Sequence, residues 1–121
     1  MTDIKFQFSE LISTQSQNPI KLIVLEGQLD ESNIDDFAPK VYQQIEINPE
    51  GTNYILDLEK LTYLNSKSIG YISDWYGKIS AKKGKLIIAK ALTNIKDIFN
   101  VVGLDKVIPL TQTLDEAKTL I

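Results

Sequence analysis

Cysteine and histidine are both absent from this chain of 121 residues. Without cysteine, the chain can form no disulfide, no thiolate nucleophile and no cysteine-based metal site. Without histidine, it lacks the commonest general base and the commonest metal ligand of proteins. A glycine-rich phosphate loop is also missing, and Asp30 and Asp57 make no recognisable catalytic dyad. The residue inventory therefore predicts that the protein is not an enzyme and that it holds no metal and no cofactor.

Long apolar runs and clustered positive charge are scarce as well. No run approaches the roughly 20 apolar residues of a membrane span, and the first ten residues, MTDIKFQFSE, lack the pattern of a secretory signal. The formal net charge of −3 and the pI near 4.9 leave no basic stripe to neutralise nucleic-acid phosphates. We therefore expect a cytoplasmic protein that neither inserts into membranes nor binds nucleic acid.

The composition that remains is that of an ordinary globular domain. Hydrophobic residues make up 43% of the chain and charged residues 24%. Its length is close to the commonest size of a domain and allows a sizeable core. We therefore predict a single domain over residues 1–121.

Strand patterns and helix patterns alternate along the chain. In chain order they predict strands around 4–8 and 20–25, a helix over about 34–45, a strand at 54–58, a helix over about 66–81 ended by Gly84, a strand at 85–89, a helix around 95–102, an edge strand at 107–110 and a helix over about 114–120. Pro39 should kink the first helix or make its early turn irregular. This order favours an α/β fold with about four helices and a mixed, mostly parallel sheet of four or five strands. The first strand should pair antiparallel at an edge.

The stretch 54–70, YILDLEKLTYLNSKSIG, joins a buried strand to the second helix. Asn65 is a preferred N-cap residue, because its side-chain oxygen can accept from the free amides of the first turn. The turn that follows presents the hydroxyls of Ser66 and Ser68 and the amine of Lys67, where the helix amides carry partial positive charge. If the chain has a functional site, we expect it here.

Three segments together resemble the STAS domain, the fold of bacterial anti-sigma factor antagonists and of the cytoplasmic tails of sulfate transporters. Residues 24–30, VLEGQLD, are similar to the family's strand that ends in Gly-x-Leu-Asp. LDL at 56–58 and NSKSIG at 65–70 are similar to its DL and DSSGLG segments. The chain after Gly84 is similar to its C-terminal pattern. The resemblance implies a STAS (SpoIIAA-like) fold.

The family also has a known switch at this helix. The second serine of its Asp-Ser-Ser-Gly motif is phosphorylated by a partner serine kinase, which is also the anti-sigma factor, and the phosphorylated domain then releases this partner. In this chain Asn65 stands for the aspartate, Ser66 for the first serine, Lys67 for the phosphorylated serine and Ser68 for the glycine. The resemblance therefore implies an anti-sigma factor antagonist, with Ser66 and Ser68 as the candidate phosphate acceptors.

The resemblance places the partner surface around Asp30, Asn65, Ser66, Lys67 and Ser68. Asp30 has a second interpretation, since it or Ser32 could be the N-cap of the first helix. Lys67 could offer a fixed positive charge to an acidic partner. An aspartate in place of Ser66 or Ser68 should mimic the phosphate and weaken the complex, with little change in the thermal unfolding midpoint.

A second hypothesis needs no phosphoserine. Stand-alone STAS proteins also resemble the accessory subunit that docks on the ATPase of bacterial lipid-transport ABC systems. The lysine at the position of the phosphorylated serine favours this hypothesis. A scaffold subunit of a large stress-signalling complex is a third hypothesis.

Overall fold

A computed structural model of the protein describes residues 3–11 and 18–121. Within these ranges the chain forms five strands, four α-helices and one short 3-10 helix. In chain order they are β1 (Ile4–Leu11), β2 (Ile20–Leu29), α1 (Ile34–Ile47), β3 (Asn53–Leu64), α2 (Ser66–Ala81), β4 (Leu86–Ala89), α3 (Thr93–Val102), the 3-10 helix (Leu104–Lys106), β5 (Leu110–Thr111) and α4 (Leu114–Thr119).

The described strands form one sheet in the order β1-β2-β3-β4-β5. β1 pairs antiparallel with β2 at one edge, and the other neighbouring strands are parallel. Each parallel connection contains a helix, as crossovers between parallel strands require. The predicted α/β class, the order of the elements and the antiparallel edge are thereby confirmed.

β3 is longer than the sequence predicted. It runs for 12 residues from Asn53 to Leu64, whereas the apolar run ends at Leu58. Beyond Asp57 it no longer pairs with β4 but stays paired with β2, as far as Leu64 opposite Leu29. Because this second half has one neighbouring strand instead of two, it carries exposed polar residues and its pattern is not that of a buried strand.

Two smaller segments also differ from the prediction. β5 begins at Leu110, after Pro109, and not at residue 107. Pro109 contributes its carbonyl oxygen to the sheet by accepting from the N–H of Ile88 at 2.9 Å, but it has no N–H to donate. Helix α1 continues through the exposed Pro39, and the irregular turn lies before the helix, at residues 31–33.

Apolar clusters cover both faces of the sheet. The larger cluster lies under α1, α2 and α3 and includes the fully buried Trp75 and Phe99. The smaller one lies under α4 and includes Ile55 and Ala117. Since α2 starts directly after β3, its N-terminus lies at the carboxyl ends of β2 and β3. That edge is where open α/β sheets usually bind their ligands.

Candidate functional site

Asn65 holds the junction between β3 and α2. Its backbone is extended, with φ −104° and ψ 178°, and its N–H donates to the carbonyl oxygen of Leu29 at 3.2 Å. Its side-chain Oδ1 accepts from the N–H of Ser68 at 2.9 Å. The prediction that Asn65 caps this helix is confirmed, and the bond to Leu29 ties the start of α2 to the end of β2.

Ser68 and Ser66 lie in different environments. Ser68 is fully buried, and its hydroxyl oxygen is 2.6 Å from Asn65 Oδ1 and 3.3 Å from the carbonyl oxygen of Leu29. Ser66 is exposed. An aspartate at position 68 would place a carboxylate in an enclosed site, so we expect Ser68→Asp to lower the thermal midpoint instead of leaving it unchanged. Of the two candidate acceptors, Ser66 is the one that a kinase can reach in this conformation.

Lys67 makes its main contact within the chain. Its Nζ lies 2.8 Å from Oδ2 of Asp35 in the first turn of α1, and the Tyr71 hydroxyl donates to the other oxygen of the same carboxylate at 2.8 Å. The hydrogen bond from Lys67, followed by that from Tyr71, holds the pKa of Asp35 below its usual value. The same bond raises the pKa of Lys67. Sequence reasoning did not connect Asp35 with Lys67 or with this site.

Asp35 lies at one end of a polar row between α1 and α2. Further along the row, the Tyr42 hydroxyl of α1 donates to the Asp74 carboxylate of α2, and the rings of Tyr42 and Tyr71 lie edge to face, 6.2 Å apart. Burial, followed by the bond to Asp74, raises the pKa of Tyr42. These residues recur at helical spacing on each helix, which is a signal in the sequence. The spacing alone does not identify the row, because the row also depends on how the two helices pair.

Asp30 does not cap α1. Its carboxylate accepts from the N–H and the hydroxyl of Ser32, at 2.9 and 2.6 Å, and this closes the turn before the helix. The N-cap residue is Asn33, whose side chain accepts from the N–H of Asp30 and donates to the carbonyl oxygen of Gln28. The prediction of Asp30 or Ser32 as the cap is therefore wrong, because Asn33 occupies that position and its side chain holds the preceding turn.

Asp57 is the other aspartate noted in the sequence, and its carboxylate has partners within the fold. It is buried, its Oδ2 lies 3.7 Å from Lys90 Nζ, and its Oδ1 accepts from the N–H of Glu59 at 3.1 Å. Lys90 also pairs with the Glu59 carboxylate at 3.2 Å. A cation and a backbone amide thus offset the burial of this carboxylate.

Within residues 3–11 and 18–121, no three acidic, cysteine or histidine side chains are arranged to hold a metal ion. In the same part of the chain, no helix combines the length and the apolar character needed to cross a membrane.

The fold and the site together define a class of protein. The chain is an α/β domain with an antiparallel edge strand, and a rigidly capped helix presents an exposed serine at the carboxyl edge of its sheet. A family model described as the STAS domain matches residues 12–117. The chain therefore belongs to the STAS domain family, as the sequence resemblance implied.

Solved structures share this fold at low sequence identity. An anti-sigma factor antagonist from Mycobacterium paratuberculosis matches with a TM-score of 0.82 and 19% identity, over 98% of this chain and 94% of that one. The anti-sigma factor antagonist SpoIIAA, unphosphorylated, matches with a TM-score of 0.71 and 22% identity over 92% of each chain. SpoIIAA of Bacillus in its phosphorylated form matches with a TM-score of 0.64 and 20% identity, over 92% of this chain and 96% of that one. A sulfate transporter family protein from Wolinella succinogenes matches with a TM-score of 0.69 and 9% identity, over 90% and 91%.

Proposed function

We propose that the protein is a regulatory, protein-binding module of the anti-sigma factor antagonist type, formed by residues 1–121 as one domain and acting in the cytoplasm. Its partner would be an anti-sigma factor that is also a serine kinase and that binds the nucleotide itself. Membership of the STAS family and the likeness of the fold to two anti-sigma factor antagonists support this class. No residue of the chain is given a catalytic role.

The exposed Ser66 at the start of α2 is the observation that carries the proposal. The bonds between Asn65 and Ser68 hold the first turn in place, so that Ser66 projects from a rigid support. Tyr63, near the end of β3, is 46% exposed and gives the same end of the strand an aromatic surface. Aromatic side chains are common anchors of protein interfaces.

The proposed partner surface keeps the five residues that the family resemblance indicated, in two roles. Asp30, Ser66 and Lys67 would contact the partner. Asn65 and Ser68 would hold these residues in position, because their polar groups bond to each other and to the end of β2.

Ser66 is the proposed phosphate acceptor. Transfer of the γ-phosphoryl group from ATP on the kinase to Ser66 Oγ would release ADP and the hydroxyl proton, and would add roughly −1.5 to −2 charges at neutral pH. The N-terminus of α2 accommodates an anion, because its amides carry partial positive charge. A partner surface shaped for a neutral hydroxyl would not accommodate the phosphate, so the phosphorylated protein should dissociate from its partner.

The test compares Ser66→Asp with Ser73→Asp, which adds the same charge at an exposed position further along α2. Each variant and the wild type would capture proteins from a lysate of the source cells with ATP present. Mass spectrometry would then identify the captured proteins and any phosphate on Ser66. Capture of a kinase-like ATPase by the wild type and Ser73→Asp, but not by Ser66→Asp, supports the proposal. Equal capture by all three proteins would show that a charge at Ser66 does not control binding, and the proposed phosphorylation switch would be abandoned.

A second candidate is an accessory subunit of an ABC-type lipid-transport assembly, or a scaffold subunit of a stress-signalling complex, without a phosphate switch. The lysine at the position of the family's phosphorylated serine favours it, because this side chain cannot accept a phosphate there and is held by Asp35. Capture of a transporter ATPase together with an unmodified Ser66 peptide would support this candidate over the first.

A further inference from the structure

Among the described residues, β1 is a long and regular edge strand of the sheet. Within the described ranges it has a strand neighbour on one side, β2. Its eight residues pair with β2 in unbroken register, and they include no proline. Natural edge strands are protected from further pairing by charged side chains, proline, bulges or short length. β1 carries Lys5 and Glu10, but it contains no proline, its pairing with β2 has no bulge, and it runs for eight residues.

The direction of the free hydrogen-bonding groups follows from one contact. The N–H of Gln28 donates to the carbonyl oxygen of Asp3 at 3.0 Å, so these opposed residues form a hydrogen-bonded pair. Such pairs alternate along an antiparallel ladder, and odd-numbered residues of β1 therefore face β2. The N–H and C=O groups that point away from the sheet belong to Ile4, Phe6, Phe8 and Glu10.

Aromatic side chains lie next to these free groups. Phe6 stacks on Phe37 of α1, with ring centroids 5.2 Å apart. The Phe8 ring lies 6.4 Å from that of Phe6, and Phe8 is 37% exposed. The apolar layer under α1 thus continues to the edge of the described sheet, where Phe8 is part-exposed.

We propose that this edge pairs with β1 of a second copy of the chain, antiparallel about a two-fold axis at Gln7. In this register the outward groups of both strands bond to each other, and Phe6 of each copy lies opposite Phe8 of the other. An axis at Phe8 would set Phe6 against Glu10, and an axis at Phe6 would shorten the paired region. Axes at Gln7 and Phe8 therefore pair equally long stretches of β1, and the axis at Gln7 is the one that sets aromatic side chains opposite each other on the face that carries α1.

The charges of β1 agree with self-pairing. With the axis at Gln7, Lys5 lies opposite Ser9 of the second copy, and Glu10 lies opposite Ile4. No two like charges are opposed, which would disfavour the pairing. The dimer is a single sheet of ten strands with both α2 N-termini free, so it leaves the proposed partner surface uncovered.

The absence of cysteine makes the register directly testable. Gln7 would face its own copy as a pair without hydrogen bonds, with Cα atoms about 4.5 Å apart, within the roughly 4.4–6.8 Å that a disulfide spans. Gln7→Cys alone should therefore cross-link into a covalent dimer under mild oxidation. Lys5→Cys and Ser9→Cys are the matched controls, since each should stay largely monomeric alone and cross-link when the two are mixed. Cross-linking of Lys5→Cys alone at the rate of Gln7→Cys would overturn the register.

Sedimentation equilibrium tests the association without a covalent bond. The wild type should shift from monomer to dimer over a concentration series that extends into the millimolar range, and Phe8→Lys should remain monomeric throughout. Because Phe8 is part-exposed, the variant should keep the circular dichroism spectrum and thermal midpoint of the wild type. A wild type that stays monomeric over the whole series would overturn the proposal. Phe8→Lys should still capture the α2 partner, so the outcome is separate from that of the proposed function.

Discussion

Lys67 and Asp35 form an ion pair in which Nζ lies 2.8 Å from Oδ2, and this pair joins the first turn of α2 to the first turn of α1. A lysine in a first turn is unfavourable against the helix dipole, whereas an aspartate there is favourable. The carboxylate of Asp35 offsets the unfavourable position of Lys67. Because the ion pair lowers the pKa of Asp35 and raises that of Lys67, both groups stay charged over a wider pH range.

Lys67→Met should raise the pKa of Asp35 toward its ordinary value, because the hydrogen bond from Lys67 is the main cause of its lowering. The folded-state pKa lies below the unfolded one. The contact therefore stabilises the fold above the unfolded pKa, and this contribution is lost as the pH falls through the folded pKa. Carbon-13 NMR of the Asp35 carboxyl during a pH titration measures the change. Lys60→Met, at an exposed lysine of β3, should leave the titration unaltered, and an equal response to both variants would contradict the assignment.

Asn65→Ala should lower the free energy of unfolding by about 1 to 2 kcal/mol, since an N-cap is lost and the buried Ser68 hydroxyl loses its nearer partner. Asn65→Asp keeps an acceptor at the helix N-terminus and should stay within about 0.5 kcal/mol of the wild type. Urea unfolding followed by the fluorescence of Trp75, the single tryptophan, measures both. An equal loss of unfolding free energy in Asn65→Ala and Asn65→Asp would show that the acceptor oxygen does not stabilise the fold.

Much of the fold was predictable because its signals are local. Alternation in β1 and helical spacing in α1 depend on residues a few positions apart, and the order of strands and helices restricts the sheet to a few arrangements. The cap at Asn65 was predictable for the same reason, since the preference acts within one helical turn.

The contacts that hold the candidate site together were not predictable, because they depend on the packing of elements that are far apart in the sequence. Lys67 and Asp35 are separated by 32 positions, and Ser68 and Leu29 by 39. The sequence indicated which polar groups begin α2, but not which of them face the interior. That distinction makes Ser66 the accessible serine and Ser68 part of the support.

Lys82 connects the ends of α1 and α2. Its Nζ lies 2.6 Å from the carbonyl oxygens of Ile45 and Asn48 and 3.3 Å from that of Glu46. The last carbonyls of a helix have no partner within the helix. A hydrogen bond from a charged donor contributes about 1.5 to 3 kcal/mol, so Lys82→Met should lower the free energy of unfolding by about that amount.

Lys83→Met is the matched control for this change. The side chain of Lys83 is 81% exposed and pairs with Glu50 at 3.2 Å on the surface. Its loss should change the free energy of unfolding by less than about 0.5 kcal/mol. Urea unfolding measures the stability of both variants. If Lys82→Met is as stable as Lys83→Met, the contacts of Lys82 with the carbonyl oxygens do not stabilise the fold.

Gly84 and Gly77 should respond to alanine in opposite directions. A Cβ at Gly84 would lie 2.1 Å from the carbonyl oxygen of Thr52, so Gly84→Ala should cost about 1 to 3 kcal/mol. The sequence indicated Gly84 as the C-cap of α2, but the C-cap is Lys82, and Lys83 takes the left-handed conformation with φ 64°. Gly84 instead allows the close approach of Thr52, just before β3. A Cβ at Gly77 in α2 would meet nothing within 4 Å, so Gly77→Ala should stabilise by about 0.5 to 1 kcal/mol. A neutral Gly84→Ala in urea unfolding would show that Thr52 can move away at no cost.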